Sequence, residues 1–173
     1  MPPLIWVGAA VLAAAAGVWD WRTRRIPNWL CACGLFTGLF GNTLLSGWEG
    51  AKFSLLGMGI ALGALLPLVL LRGLGAGDWK LMGALGAFLG ARQLFLLLIL
   101  AFVIAGLMAV VQTTWHRRWI VVLKNLRDLI GGYFVYGLRP HPVVHLENPT
   151  MHSLPFGTAV AVATLICFWG AGR

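Results

Sequence analysis

Two of the five acidic residues stand where a carboxylate is costly, at the edges of long apolar segments. They occur in similar triplets, Asp20-Trp21-Arg22 and Asp78-Trp79-Lys80. An ionised Asp at the centre of a membrane helix costs about 2.5–3.5 kcal/mol on insertion scales, and less near the interface. Either each Asp pairs with the base beside it, or the two carboxylates serve a chemical purpose together.

Two carboxylates that face one another suit acid–base catalysis of hydrolysis. Ionising both carboxyl groups at once is unfavourable because the two negative charges repel, so the pair holds one proton at intermediate pH. The charged member then takes a proton from water, and the neutral member donates one to the scissile carbonyl. The other acids, Glu49, Asp128 and Glu147, fall in segments that solvent can reach. Asp20 and Asp78 are therefore the candidate catalytic pair.

The composition around these acids is that of an integral membrane protein. Of the 173 residues, 60% are hydrophobic and 10% are charged, whereas a soluble domain has about 25% charged residues. A soluble globular enzyme and a disordered chain are thereby excluded, and with only three Cys residues so is a disulfide-built scaffold. The length predicts one membrane-embedded domain, residues 1–173. The net charge of +8 is attributed to basic cytoplasmic loops, so no nucleic-acid partner is expected.

Charge-free stretches predict an all-α bundle of about six transmembrane helices. A crossing needs about 20 apolar residues. The first stretch has no basic residues before it and is expected to be a retained span. The fourth is too short to cross at full thickness. In chain order, the stretches are Pro2–Trp19, Ile26–Trp48, Phe53–Leu71, Leu81–Ala91, Gln93–Trp115 and Ser153–Gly172.

The distribution of Lys and Arg predicts the orientation. With six crossings, ten of the 13 basic residues lie in three loops on one side, which the positive-inside rule makes cytoplasmic. Both termini are then outside, and Asp20 and Asp78 lie at the cytoplasmic face. Residues 114–151 are expected to form a cytoplasmic loop. Its segment Trp115–Ile130 has one apolar helical face and predicts an amphipathic helix on anionic lipid, with substrate docking as the alternative.

Three short segments of the sequence, taken together, indicate a protein family. Residues 20–28 read DWRTRRIPN, residues 75–80 read GAGDWK, and residues 154–157 read LPFG. In order and spacing they resemble the motifs of the type IV prepilin peptidases and archaeal preflagellin peptidases, the GxGD membrane aspartyl proteases. The resemblance implies that Asp20 and Asp78 are the catalytic aspartates.

The resemblance also implies a function. Such an enzyme cuts the short basic leader from prepilin-like membrane proteins at the cytoplasmic face of the bacterial inner or archaeal plasma membrane, without a metal or other cofactor. Besides this substrate, only membrane lipid is expected as a partner. Larger members also N-methylate the product and carry paired CxxC zinc motifs. Here the one close pair, Cys31 and Cys33, has the wrong spacing, so methylation is not expected.

Further residues near the two aspartates are candidates for substrate binding or support of the site. Glycines before Asp78 allow close backbone approach. Arg22 either anchors the topology or holds Asp20, and Lys80 either acts on Asp78 or extends to the interface. His141 and His145 are flanked by prolines and are not expected to bind a metal. The supporting set is Gly75, Gly77, Lys80, Arg22, Pro27, Asn28, Pro155 and Gly157.

Two other classes of function compete with this hypothesis. A small proton-coupled transporter or channel subunit would use the two Asp residues as proton relays. It predicts polar groups at mid-membrane depth, and the long apolar stretches contain almost none. A non-catalytic pilus-assembly scaffold would tolerate the loss of either Asp, whereas the enzyme would not.

Overall fold

The computed structural model describes residues 3–71, 73–115, 119 and 155–171. These residues form four helices and no strand: α1 (Pro3–Thr23), α2 (Asn28–Leu70), α3 (Ala76–Trp115) and α4 (Phe156–Ala171). The prediction of an all-α protein is confirmed for this part of the chain. The predicted amphipathic helix and most of the loop 114–151 lie outside the described residues.

The prediction of six transmembrane helices is not supported. Over the described ranges, three helices are long and apolar enough to cross a membrane, and α4 is a shorter apolar helix. The stretches on either side of Glu49 and Lys52 fall within α2, and those on either side of Arg92 fall within α3. Each of these long helices has one break close to the charged residues, at Gly47 in α2 and at Gly90 in α3. Lys52 and Glu49 form an exposed ion pair of 2.8 Å.

Helix α2 folds back on itself at Gly47. A straight helix of its 43 residues would be about 65 Å long, roughly twice the hydrocarbon thickness of a bilayer. Gly47 has φ 56° and ψ −139°, a conformation that favours glycine. Beyond it, Ser54 Oγ accepts a hydrogen bond of 3.0 Å from Asn42 Nδ2, although twelve residues of continuous helix would span about 18 Å. The arms 28–46 and 48–70 therefore lie side by side.

Helix α3 is interrupted at Gly90, where φ is 67° and ψ is 177°. Such a break leaves carbonyl groups of the preceding turn without their helical partners. Asn42 Nδ2 donates to the carbonyls of Ala87 and Phe88 at 3.0 and 3.1 Å. An unsatisfied carbonyl in an apolar interior costs several kcal/mol, so this buried amide stabilises the break.

The first part of α3 is the centre of the bundle. Every residue from Leu81 to Gly90 is buried, which explains how a segment too short to span is accommodated: neighbouring helices cover it. Contact with α2 is close at Gly57 and Gly86, where a Cβ atom on Gly86 would lie 2.7 Å from the Gly57 carbonyl carbon. Small residues allow such backbone approach between membrane helices.

The contact between α2 and α3 predicts different effects for two neighbouring glycines. A side chain on Gly57 would collide with the Gly86 backbone, whereas a Cβ on Gly59 meets nothing within 4 Å. Gly57→Leu should destabilise the protein by about 1–3 kcal/mol or more, as overpacking does. Gly59→Leu should leave stability unchanged or raised. The apparent Tm in detergent, followed by size-exclusion chromatography, measures this. Equal losses in both variants would contradict the packing.

Candidate active site

The two predicted aspartates come together from different helices. Asp20 lies in the last turn of α1 and is 6% exposed, and Asp78 lies in the first turn of α3. The charge of Asp20 acts on Asp78. Asp20 Oδ2 and Asp78 Oδ1 are both buried without a hydrogen-bond partner among the described residues. Two carboxylate oxygens are thus available to bind a small polar molecule at this point.

The N-terminus of α4 faces Asp20. The backbone N–H groups of Gly157 and Thr158 interact with the Asp20 carboxylate. A Cβ atom on Gly157 would lie 3.0 Å from Asp20 Oδ2, so a larger residue could not approach so closely without displacing the carboxylate. Pro155 is buried just before the helix, and its carbonyl accepts the Thr158 hydroxyl at 2.6 Å. The positive end of the helix dipole therefore stabilises negative charge on Asp20.

A glycine also stands against the second carboxylate. A Cβ atom on Gly75 would lie 3.0 Å from Asp78 Oδ2. The Gly75 carbonyl accepts the Trp79 N–H at 3.1 Å and so begins the first turn of α3. The indole Nε1 of Trp79 donates to the Leu62 carbonyl at 2.9 Å, which ties this turn to the second arm of α2. The Asp78 carboxyl group therefore lies on the first turn of α3, beside a backbone segment that has no side chain at Gly75.

The basic residues near the aspartates make contacts that the sequence did not specify. Lys80 Nζ donates to Asn28 Oδ1 at 2.9 Å and thereby joins the first turns of α3 and α2. Pro27 occupies the N-cap position of α2, and its carbonyl accepts the N–H of Leu30 at 3.2 Å. The cation that acts on Asp20 is Arg24.

Arg22 is exposed in the last turn of α1, whereas Arg24 follows the helix in a left-handed conformation with φ 54°. The N–H of Arg24 donates to the Asp20 carbonyl at 2.9 Å, which closes the end of α1. This turn decides which arginine acts on the carboxylate, and adjacency in sequence does not reveal it.

Sequence reasoning also missed Ile26 and the role of Cys31. Ile26 is 8% exposed and packs beside Gly77 and Gly157. The Cys31 thiol donates a weak hydrogen bond to the Gly77 carbonyl at 3.8 Å. The chemistry of an apolar side chain does not predict that it belongs to an active site. For Ile26, the only indication in the sequence is its position within the motif at residues 20–28.

No group of three His, Cys, Asp or Glu side chains that could hold a metal ion occurs within the described parts of the chain. All four His residues lie outside those parts. The described site consists of two carboxyl groups beside glycine backbone and a helix N-terminus.

Comparison with known proteins adds the family. The sequence profile of the type IV leader peptidase family matches residues 6–110, which include Asp20 and Asp78 but not α4. No curated protein and no solved structure gives a significant match. Because the profile covers more than half of the 173 residues, the chain belongs to the type IV leader peptidase family and is a protease.

Proposed function

We propose that this protein is a membrane aspartyl endopeptidase in which Asp20 and Asp78 activate water to remove the basic N-terminal leader of a prepilin-like precursor. The observation that carries the proposal is the meeting of two carboxylates from separate helices, each with one buried oxygen that lacks a protein partner. Membership of a leader peptidase family supports the substrate class.

The environments of the two carboxylates suggest a division of roles. The N-terminus of α4 and Arg24 both stabilise negative charge on Asp20, which makes it the general base. Among the described residues, no backbone N–H or cation stabilises charge on Asp78 in the same way, and the charge of Asp20 opposes a second negative charge there. Asp78 is therefore the member that carries the proton and acts as the general acid.

Hydrolysis then proceeds without a covalent enzyme intermediate. Asp20 takes a proton from water as the water oxygen bonds to the scissile carbonyl carbon, and Asp78 donates its proton to the carbonyl oxygen. The C–N bond of the resulting tetrahedral species breaks as the proton on Asp20 passes to the leaving amine. Return of the carbonyl proton to Asp78 restores both carboxyl groups. Such acid–base catalysis is worth about 10²–10⁴ in rate.

The glycine before Asp78 suits a peptide substrate. Gly75 is half-buried, and a Cβ atom there would meet only the Asp78 carboxyl group, so an extended segment can lie against its backbone beside that carboxyl. We propose that the hydrophobic helix of the precursor enters laterally from the bilayer and unwinds next to residues 75–77. Residues 1–173 then act as one peptidase domain, with the loop 114–151 on the cytoplasmic side.

The charge pattern supports a cytoplasmic position for the site. Arg22, Arg24, Arg25 and Lys80 are exposed at the end of the bundle where the aspartates lie, as the positive-inside rule requires of a cytoplasmic face. A proton-coupled transporter fits less well. Besides Asp20, the buried polar side chains in the described parts are Asn42, Ser54 and Thr164, none of which is ionisable.

Loss of either carboxylate should slow cleavage strongly. Asp20→Asn and Asp78→Asn should each reduce the cleavage rate by roughly 10²–10⁴, because an amide can neither take nor give the proton that hydrolysis requires. Glu49→Gln removes an exposed acid that pairs with Lys52 and should cleave at the wild-type rate. The measurement is leader removal from a co-expressed prepilin-like precursor in membranes, read by intact mass and normalised to folded enzyme.

Wild-type cleavage by either Asn variant would overturn the paired-aspartate mechanism. A wild-type enzyme that leaves prepilin-like precursors intact but cuts another membrane protein would overturn the substrate class. Each result points to a different part of the proposal.

The approach of α4 to Asp20 predicts that one of two glycines in this helix is needed for activity. Gly157→Ala places a methyl group 3.0 Å from Asp20 Oδ2, whereas a Cβ on Gly170 meets nothing within 4 Å. Gly157→Ala should lower kcat/KM at least about tenfold, equivalent to about 1.4 kcal/mol of transition-state stabilisation. Gly170→Ala should match the wild type. Equal activity of the two variants in the membrane assay would show that the α4 contact does not matter.

A further inference from the structure

Ile26 is buried where a connecting residue is usually exposed. It belongs to the short connection between α1 and α2, directly after the exposed Arg24 and Arg25. Connections of this kind normally run over the surface. Ile26 is nevertheless only 8% exposed, so its side chain points into the bundle and away from the solvent that surrounds its neighbours.

One contact of Ile26 is with the residue that precedes Asp78. A Cβ atom on Gly77 would lie 3.3 Å from Ile26 Cβ and 3.5 Å from the Ile26 carbonyl oxygen. The first distance is tight and the second is an ordinary van der Waals contact, so the Cβ and backbone of Ile26 lie beside Gly77 and leave little room for a side chain there. Ile26 is therefore next to the residue bonded to Asp78.

The other contact of Ile26 is with the glycine that approaches Asp20. A Cβ atom on Gly157 would lie 3.1 Å from Ile26 Cδ1, at nearly the same distance as from Asp20 Oδ2. The tip of the Ile26 side chain and the Asp20 carboxyl group are therefore neighbours of the same backbone position in α4. Ile26 lies between the two helix N-termini that bear on the aspartates.

We propose that Ile26 is a positioning residue that sets the separation of the Asp20 and Asp78 carboxyl groups. The inference rests on the proposed aspartyl peptidase function. A branched side chain with a restricted χ1 angle is a stiff spacer. Its Cβ lies beside Gly77 and its Cδ1 beside Gly157, and neither glycine has a side chain that could adjust. Catalytic geometry tolerates errors of only about 0.5 Å, and a misplacement of about 1 Å can cost about 10²-fold in rate.

The first test is a comparison with a second isoleucine in a similar environment. Ile5 is 4% exposed, and its Cδ1 would lie 3.3 Å from a Cβ atom on Gly41, a glycine that does not flank either aspartate. Ile26→Ala should lower kcat by about 10–100-fold per folded enzyme with little change in KM, because substrate binding is retained while the reacting groups are misplaced. Ile5→Ala should lower the apparent Tm but leave kcat at the wild-type value.

The second test is a double-mutant cycle that keeps the inference falsifiable if Ile26→Ala fails to fold. Ile26→Val removes Cδ1, the atom that a methyl group on Gly157 would meet. The variant Ile26→Val with Gly157→Ala should therefore be at least about threefold more active than the product of the two single losses predicts. Ile5→Val with Gly157→Ala should be additive.

Wild-type kcat in Ile26→Ala, or additivity in both cycles, would overturn the role of Ile26. Failure of the proposed function is a separate result, because it would show as cleavage that survives Asp20→Asn or Asp78→Asn. Conservative rescue provides a last check: Ile26→Val alone should retain most of the activity that Ile26→Ala loses.

Discussion

Carboxylates inside an apolar bundle are stable only where the protein supplies what water would have supplied. At Asp20 this is the N-terminus of α4, whose Gly157 and Thr158 N–H groups interact with the carboxylate. The approach requires a residue without a side chain at Gly157, and Gly75 provides a similar surface at Asp78. The placement of α1, α3 and α4 follows from this constraint, since each must bring one of these groups to the same point.

The rest of the bundle holds the three helix ends in place. The two arms of α2 cover α3, and the break in α3 is stabilised by Asn42, which reaches across from the first arm. The Asn42 side-chain amide lies within hydrogen-bond distance of Ser54 Oγ and of the carbonyl oxygens of Ala87 and Phe88. It thereby joins both arms of α2 to α3 in the apolar interior. At the opposite end, Trp79 and Lys80 tie the first turn of α3 to both arms of α2. The site is therefore built at the ends of helices whose middles fix their positions.

In the proposed enzyme, the groups that take part in hydrolysis lie at the ends of membrane helices. The N-terminus of α4 provides partial positive charge at Asp20, and Ile26 lies between Gly77 and Gly157. In the proposed mechanism these elements do the work that loops often do in soluble enzymes. The bundle is therefore sensitive to substitution of small residues by larger ones, because the close contacts at Gly57, Gly86 and Gly157 leave no room for even one methyl group.

The sequence by itself determined the class of protein and predicted which two carboxyl groups are the candidates for catalysis. Its apolar composition predicts membrane helices, and only two acids, Asp20 and Asp78, stand at the edges of apolar segments in motifs that identify the family. Those conclusions depend on the chemistry of single residues and short segments, which can be assessed without the tertiary structure. The glycines at positions 75 and 157 were also found this way, through the motifs that contain them.

Only the tertiary structure decided how many helices form and which neighbours act on the aspartates. Charge patterns mark where apolar segments end, but the conformations of Gly47 and Gly90 and the packing around them decide where the helices break. Lys80 binds Asn28 and the cation acting on Asp20 is Arg24, because the turn at the end of α1 and the meeting of two helix N-termini set those distances. Ile26 has no chemistry of its own, so its position between Gly77 and Gly157 becomes visible only when helices distant in sequence are packed together.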